Sequence, residues 1–99
     1  MRLEVTDSAW SSLDALTLFW SDQLTDVTID ARVDELWETV LWLLDHPKAG
    51  HVEEYLSAVG KDHRRWIVGD VKVIYRLGPE VLYVTDFFGS RQDPKKMRG

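Results

Sequence analysis

Two isolated histidines are the side chains of this sequence best suited to exchange protons near neutral pH. His51 and His63 could each supply a general base, because an unperturbed imidazole titrates close to physiological pH. They are twelve residues apart, and no carboxylate or thiol pattern surrounds them, so their spacing does not indicate a metal site. The chain has no cysteine, which excludes thiol chemistry, zinc–thiolate sites and disulfides. We therefore expect neither a metal nor a cofactor.

Charged side chains are divided unevenly along the chain. Residues 1–46 carry ten acidic and two basic side chains, a net charge of −8, whereas residues 47–99 carry ten basic and seven acidic ones, a net charge of +3. The first part is expected to present an acidic surface and the second a mildly basic one. This charge asymmetry carries information about binding partners rather than about the fold. A nucleic-acid footprint and two merely solvated faces both agree with this distribution.

Length and composition limit the class of protein. A chain of 99 residues with 44% hydrophobic and 29% charged residues has the composition of one soluble globular domain. The longest apolar run, Val40 to Leu44, is far shorter than the roughly 20 residues of a membrane-spanning helix, and Met1 to Val5 lacks the apolar segment of a signal peptide. We expect a cytoplasmic protein. Because so small a core is marginally stable, we also expect a homodimer or a hetero-oligomer with a partner.

Two amphipathic helices are predicted in the first half of the chain. The first has apolar residues at helical spacing, namely Ala9, Leu13, Leu16 and Trp20. The second repeats this pattern over about five turns, with Ile29, Val33, Leu36, Val40 and Leu43. It is expected to end at His46, because Pro47 disfavours the α conformation in the preceding residue. Thr6 to Ser8 and Thr25 or Asp26 offer side-chain oxygens for the two N-caps.

Strands with alternating polarity flank this helical hairpin. One strand is expected at Arg2 to Val5, and three more follow in the last third of the chain, separated by turns at Gly69-Asp70 and at Gly78 to Glu80. The Gly69-Asp70 turn is expected to be of type II′. The hairpin must bury its apolar stripes against one face of the sheet. The order β-α-α-β-β-β therefore predicts an α+β domain with two layers.

The remaining segments have weaker patterns. Pro47 to Asp62 has no clean period, and one short helix is expected around Val52 to Ala58. Residues 92–99 are too polar for a core, so we expect them to form a mobile C-terminal tail. The single domain is thus assigned to residues 1–91.

Three local motifs, in this order, resemble one known family. They are His46-Pro47-Lys48-Ala49-Gly50 after the second helix, the hairpin from Arg64 to Arg76 with its aliphatic-Tyr-Arg ending, and the last strand from Val81, which runs into a basic turn ending at Pro94. Over nearly its whole length the chain resembles the RelE/ParE superfamily of toxins from bacterial type II toxin–antitoxin (plasmid stabilisation) modules. The resemblance implies a mainly antiparallel four-stranded sheet, with the first strand beside the last.

The resemblance leaves the activity open, because a shared fold does not determine function. RelE-like members are mRNA endonucleases that work on the ribosome: the ribose 2′-OH attacks the phosphate, a base takes its proton, and cations stabilise the transition state. ParE-like members are not nucleases and inhibit DNA gyrase by binding. A third alternative is a degenerate member that binds only its antitoxin.

For a nuclease, the resemblance implies four catalytic cations. Lys72 occupies the strand position where such enzymes often carry arginine, and Arg91 matches the basic residue after the last strand. Lys61 and Arg64 match the basic lead-in to the hairpin. The C-terminal tyrosine of RelE-like enzymes is absent, and the isoelectric point is about 5.0. Both features favour the gyrase alternative, because binding to ribosomal RNA gains from positive charge. Lys72 and Arg76 could also be the solvated face of a half-buried strand, and Arg64 and Arg65 could be a solvated charge pair before a strand.

Trp37, Trp42 and Arg76 are the candidate partner-binding residues. Trp37 flanks the apolar stripe of the second helix and Trp42 lies nearly off it, and an exposed tryptophan is a common anchor at protein interfaces. Ordinary packing is the alternative for both. The resemblance implies a cognate antitoxin that lays an extended or helical segment across sheet and hairpin. The expected target is either DNA gyrase or the ribosome with its mRNA.

Overall fold

Two helices pack on one face of a five-stranded sheet in the computed structural model, which describes all 99 residues. In chain order the elements are β1 (Arg2–Val5), α1 (Asp7–Ser21), α2 (Asp26–Asp45), β2 (His51–Val52), β3 (Arg64–Val68), β4 (Val71–Gly78) and β5 (Val81–Gly89). Two 3-10 helices, Glu54–Val59 and Pro94–Lys96, precede β3 and follow β5. The sheet order is β1-β5-β4-β3-β2, and only the β1–β5 pair is parallel. The predicted α+β architecture is confirmed, including the first strand beside the last.

The sheet has one strand more than the predicted four. The additional strand β2 consists only of His51 and Val52, which pair with Arg65 and Arg64 of β3. Two residues cannot show the alternation of polarity by which a strand is recognised in sequence. The short helix expected around residues 52–58 is present as the 3-10 helix that follows β2.

Both helices begin at predicted capping residues. The side chain of Thr6 accepts a hydrogen bond at 3.2 Å from the backbone N–H three residues later, and Thr25 does the same at 3.3 Å. Each bond satisfies a donor that has no partner within its helix. Helix α2 ends at Asp45, and His46, directly before Pro47, has left the α conformation. The predicted end of α2 is therefore confirmed.

Two tight turns join the last three strands. Gly69 has a φ of 59° at the first central position of the turn between Val68 and Val71, which pair with each other. A positive φ there agrees with the predicted type II′ turn. In the next turn Pro79 is followed by Glu80, whose φ is 58°, as the third position of a type II turn requires.

The main core lies between the helices and the sheet. Val71, Val73 and Tyr75 of β4 all face it, as the period-two pattern of that strand predicts. The buried residues of the main core are Ala9, Leu13, Leu16, Trp20, Ile29, Leu36, Val40, Leu43, Val71, Val73, Tyr75, Leu82, Val84 and Phe87. The apolar stripes of both predicted helices are thus buried against one face of the sheet.

A smaller apolar cluster covers part of the opposite face. It consists of Leu56, Ile74, Phe88 and Met97. Met97 belongs to residues 92–99, which the sequence predicts as a tail outside the domain. In the structure this segment crosses the sheet: the Arg98 N–H donates to Asp86 at 2.9 Å, and the Thr85 hydroxyl donates to the Arg98 carbonyl at 3.2 Å. A single methionine among charged residues carries too little apolar pattern to reveal this packing.

Strand β5 contains a β-bulge at Thr85. Val84 and Asp86 oppose two consecutive residues of β4, so Thr85 is an extra residue without a partner of its own. Past the bulge the side chains exchange faces. Phe87 consequently joins Val84 in the main core, while Asp86 lies opposite Ile74 on the other face.

Candidate functional site

Lys72 lies on the sheet face turned away from the helices, in a cluster of paired charges. Its Nζ is 3.6 Å from Oε1 of Glu53, whose Oε2 is 3.2 Å from the guanidinium of Arg65. The Glu53 side chain is only 1% exposed, whereas those of Lys72 and Arg65 are 19% and 27% exposed. A buried carboxylate without such partners would be costly. Lys72 is therefore a counter-ion of a buried acid.

Glu53 is the member of this cluster that sequence analysis does not identify. It lies in the stretch between α2 and β3 that has no periodic pattern. The 3-10 helix that follows it places Tyr55 beside the cluster, with the Lys72 Nζ 5.6 Å from the ring centroid, a distance suited to a cation–π interaction. The one signal available was the acidic pair Glu53-Glu54 within the more basic half of the chain.

Arg64 lies on the helix side of the sheet and holds a loop in place. Its guanidinium donates to the carbonyls of Lys48 at 3.3 Å and Gly50 at 2.8 Å. The Tyr75 hydroxyl binds the same loop, donating to the Pro47 carbonyl and accepting from the Gly50 N–H, each at 2.9 Å. Burial raises the pKa of Tyr75, so the hydroxyl keeps the proton that it donates. Arg64 and Tyr75 together anchor the connection between α2 and β2.

The remaining candidate cations, Lys61 and Arg91, are exposed and lie in separate regions. Arg91 follows β5 and lines a cavity of about 370 Å³ with residues of α1 such as Leu16. Lys61 lies in the loop before β3, and neither residue forms an ion pair. The structure does not gather the four cations: Lys72 lies on one sheet face, Arg64 on the other, and Arg91 beyond the end of β5.

The two histidines occupy contrasting positions. His51 is exposed in β2, whereas His63 is 1% exposed and neither of its ring nitrogens has a hydrogen-bond partner. Burial lowers the pKa of His63, and the positive charges of Arg76 and Lys61 lower it further, against a smaller raising effect of Asp62. The imidazole of His63 is therefore neutral near pH 7, but it is closed off from any substrate.

Asp86 is a second buried group whose pKa is shifted. Burial raises the pKa of its carboxyl, while the nearby Ser12 side chain and the hydrogen bond from the backbone N–H of Arg98 lower it by less. Its Oδ2 accepts the Arg98 N–H, but its Oδ1 has no close partner. Asp86 thus binds the C-terminal segment through Oδ2, while its Oδ1 is buried without a hydrogen bond, which is energetically costly.

Each of the three candidate partner-binding residues contacts an aromatic ring, and Trp37 and Arg76 do so on opposite sides of the sheet. The Trp37 ring centroid is 5.1 Å from that of Trp10 on α1 and 5.5 Å from that of Phe87, so Trp37 joins the two helices to the sheet. The guanidinium of Arg76 lies 4.0 Å from the ring centroid of Tyr83, on the face away from the helices. These two side chains therefore do not share a surface.

Trp42 is the candidate that lies on an open surface. It is 42% exposed, its ring stacks on His46 at a centroid distance of 4.1 Å, and it lies 5.0 Å from the ring of Trp66 in β3. With Glu35 and Glu38, the two tryptophans line a cavity of about 280 Å³ between α2 and β3. The surface of Trp42 is thus both aromatic and acidic.

That cavity is the first of three that share lining residues, and the first two lie between α2 and the sheet. Glu35 also lines a second cavity, of about 300 Å³. Trp20, Asp70 and Val71 line both the second cavity and a third of about 370 Å³, which reaches Arg91. The first two cavities form the α2–β3 groove, whereas the third lies between α1 and the ends of β4 and β5. Tryptophans and carboxylates predominate at the Trp42 end of the α2–β3 groove.

The arrangement of helices and strands is shared with a solved structure described as a chromosomal ParDE TA system from P. aeruginosa. The aligned region covers 90% of this chain and 95% of that chain, with a TM-score of 0.76 and 18% sequence identity. The chain has the RelE/ParE fold. The sequence matches no protein-family model and no curated protein, so the likeness resides in the backbone.

The RelE/ParE fold accounts for the positions of the elements but not for the side-chain chemistry of this chain. The fold places β4 in the centre of the sheet, where Lys72 and Arg76 point away from the helices. The ion pairs of Glu53 with Lys72 and Arg65 depend on the side chains of this chain and not on the fold. None of the helices of this chain combines the length and apolar character needed to cross a bilayer.

Proposed function

We propose that this chain is the toxin of a type II toxin–antitoxin module and that it acts by binding its target, DNA gyrase, rather than by cleaving mRNA. The RelE/ParE fold, shared with a ParDE TA system, supports the assignment to a toxin module. The observation that carries the mode of action is the ion pair between Lys72 and the buried carboxylate of Glu53. The cation expected to stabilise a cleavage transition state already has a structural partner.

The positions of the other candidate residues support the same conclusion. RNA cleavage requires cations gathered around one phosphate and a base within reach of the 2′-OH. Arg64 binds backbone carbonyls on the helix side of the sheet, Arg91 lies beyond β5, and the imidazole of His63 is buried. The net charge of −5 also opposes the approach of RNA.

The proposal is tested by inducing the chain in a bacterium and labelling protein and DNA synthesis separately in short pulses. We expect DNA synthesis to stop and the SOS response to follow while translation continues. A rapid arrest of translation with cleaved mRNA would overturn the gyrase assignment in favour of the nuclease. No effect on either process would overturn it in favour of a member that binds only its antitoxin.

Removal of the charge of Lys72 distinguishes a catalytic role of this residue from action by binding alone. Lys72→Gln abolishes toxicity if Lys72 is catalytic, whereas under this proposal toxicity persists as long as the protein remains folded, which circular dichroism verifies. Should Lys72→Gln fail to fold, Lys61→Ala provides the second comparison, because Lys61 is exposed and unpaired and its removal should not affect stability. A loss of toxicity of more than tenfold in either folded variant would contradict the proposal.

A further inference from the structure

A cavity of about 500 Å³ lies between α1 and the C-terminal segment, residues 92–99. Its volume is within the range of about 300–1,000 Å³ that is usual for small-ligand sites. None of the four candidate catalytic cations lines it, so the cavity is separate from the residues considered for toxin action. The lining residues are Ser11, Ser12 and Ala15 of α1, Asp86 of β5, and Gln92, Lys95, Lys96, Met97 and Arg98 of the C-terminal segment.

Three cations of the C-terminal segment line this cavity without forming an ion pair. They are Lys95, Lys96 and Arg98, and none of their side chains lies within salt-bridge distance of a carboxylate. Asp93 accepts the backbone N–H of Lys95 at 3.0 Å but does not line the cavity. Asp86 is the one acid among the lining residues. Because positive charge predominates, the complementary ligand is an anion, to which lysine and arginine donate charge-assisted hydrogen bonds.

Asp86 adds a hydrogen-bond acceptor to these donors. The residue is 2% exposed; its Oδ2 accepts the Arg98 N–H at 2.9 Å, whereas its Oδ1 has no partner. A buried polar atom without a hydrogen bond is costly and uncommon in folded proteins. Burial also raises the pKa of this carboxyl, which makes Oδ1 a stronger proton acceptor than the oxygen of an exposed carboxylate. A ligand that donates a hydrogen bond to Oδ1 removes this cost.

The ligand is therefore an anion that carries one hydrogen-bond donor. An ionised carboxylate only accepts hydrogen bonds, so a fully deprotonated anion such as sulfate is repelled by Oδ1. Hydrogen phosphate differs from sulfate by one proton. Its P–OH group suits Oδ1 of Asp86, and its remaining oxygens suit the three cations. A phosphodiester, as in the backbone of RNA, lacks this proton.

We propose that the cavity between α1 and the C-terminal segment binds hydrogen phosphate, whose P–OH donates to Oδ1 of Asp86 while its other oxygens accept from the three cations. The hydroxyls of Ser11 and Ser12 donate from the opposite wall. Free phosphate and the singly protonated phosphate of a monoester share this chemistry. The site goes beyond the function proposed above and does not depend on it.

Anion titrations of the full-length chain test this proposal. Calorimetry at pH 7.5 and constant ionic strength compares phosphate with sulfate, and NMR locates the bound anion. We expect phosphate to bind at least tenfold more tightly than sulfate and to shift the amide signals of Ser12, Asp86 and Lys96. Equal binding of the two anions, or shifts confined to residues outside the cavity, would overturn the proposal.

Asp86→Asn tests the role of Oδ1. The amide oxygen of asparagine accepts the Arg98 N–H in place of Oδ2, so the NH₂ group, a donor, takes the position of Oδ1. We expect this variant to bind sulfate as tightly as phosphate. A tenfold preference for phosphate that persists in the folded variant would contradict the proposal. Slow amide exchange at Arg98 verifies that the C-terminal segment stays in place. Should the variant fail to fold, the comparison of anions on the wild type decides.

Two pairs of lysines locate the charge that matters. Lys95→Gln combined with Lys96→Gln should weaken phosphate binding at least tenfold, because two charge-assisted hydrogen bonds are lost. Lys48→Gln combined with Lys61→Gln is the matched control, since it removes the same charge from two exposed residues outside the cavity. The control should leave binding within twofold. Equal weakening in both proteins would mean that phosphate responds to net charge alone, against the proposal.

Phosphate esters distinguish the two sources of the ligand. At pH 6 methyl phosphate is near its second pKa of about 6 and still carries a proton in part, whereas dimethyl phosphate carries none. If methyl phosphate binds as tightly as inorganic phosphate, the ligand is a phosphate monoester; if only inorganic phosphate binds, it is free phosphate. Either result supports the proposal. Dimethyl phosphate should bind at least tenfold more weakly, and equally tight binding of this diester would overturn the role of the P–OH group.

Discussion

Lys72 and Glu53 form an ion pair with Nζ and Oε1 3.6 Å apart, although Glu53 lies in an irregular segment and Lys72 in the central strand of the sheet. The pair, shared with Arg65, fixes that irregular segment to the sheet. The pair also shows that Lys72, one of the regularly spaced cations of β4, stabilises the fold. The charge of Lys72 compensates a carboxylate that has been removed from water.

The first prediction concerns the contribution of this buried acid. We expect Glu53→Gln to lower the free energy of unfolding by about 2 kcal/mol, because Lys72 and Arg65 lose their counter-ion while still touching solvent. Urea denaturation at pH 7 measures the change. Glu4→Gln is the control, since Glu4 pairs with Arg2 at 3.5 Å on the open surface and its loss should cost less than about 0.5 kcal/mol. Equal costs in the two variants would contradict the structural role of Glu53.

The second prediction concerns the hydroxyl that anchors the loop after α2. Tyr75→Phe should lower the free energy of unfolding by about 2 kcal/mol, because it leaves the Gly50 N–H and the Pro47 carbonyl without their partner. Tyr83→Phe removes a hydroxyl that makes no hydrogen bond within the chain and should cost far less. Thermal and urea unfolding of both variants provide the comparison. A similar cost for both would show that the bridge contributes no stability.

The third prediction is a pH dependence that arises from His63. Its pKa is lowered in the folded state, so the unfolded chain binds the proton more readily, and stability falls as the pH drops below about 6.5. We expect the wild type to lose more stability between pH 7.5 and pH 5 than His63→Gln does. Asp86 acts in the opposite direction, because its pKa is raised on folding, but it is present in both proteins. Identical pH profiles would exclude His63 as the source.

The fourth prediction tests whether residues 92–99 belong to the folded domain. Met97→Ala should lower the free energy of unfolding by about 2 kcal/mol, because it opens a space beside Ile74 and Phe88. Lys96→Ala, an exposed neighbour, should change it by less than about 0.5 kcal/mol. Amide exchange at Arg98 should be slowed by its bond to Asp86. If the Arg98 amide exchanged as fast as it would in an unstructured peptide, residues 92–99 would be the mobile tail that the sequence predicts.

The helices and long strands could be predicted because their patterns repeat over many residues. The five-residue apolar stripe of α2 and the alternation of β4 each define a buried face without reference to the rest of the chain. β2, Glu53 and Met97 could not be predicted in the same way. Each is held by contacts with distant residues, and none lies in a pattern long enough to mark a buried face.

The candidate site was harder to predict because spacing does not reveal which sheet face a side chain occupies. Lys72 and Arg64 are on neighbouring strands, and only the observed register, with Arg64 opposite Tyr75, shows that they point in opposite directions. Trp42 was a candidate surface residue from its position nearly off the apolar stripe, with ordinary packing as the alternative, and the structure leaves it 42% exposed. The neighbouring edge of β3 pairs with β2 only at Arg64 and Arg65, and the sequence does not indicate how short β2 is.

The pairing of β4 with β5 accommodates a one-residue insertion, and that inserted residue joins distant parts of the chain. β4 has eight residues and β5 has nine, and Thr85 is the one left over. Its carbonyl accepts hydrogen bonds from the hydroxyls of Thr6 and Ser8, and its hydroxyl donates to Arg98. This extra residue thus ties the start of α1 and the segment after β5 to the sheet. Deleting it would leave every other side chain of β5 on its present face and would release both segments from this one point.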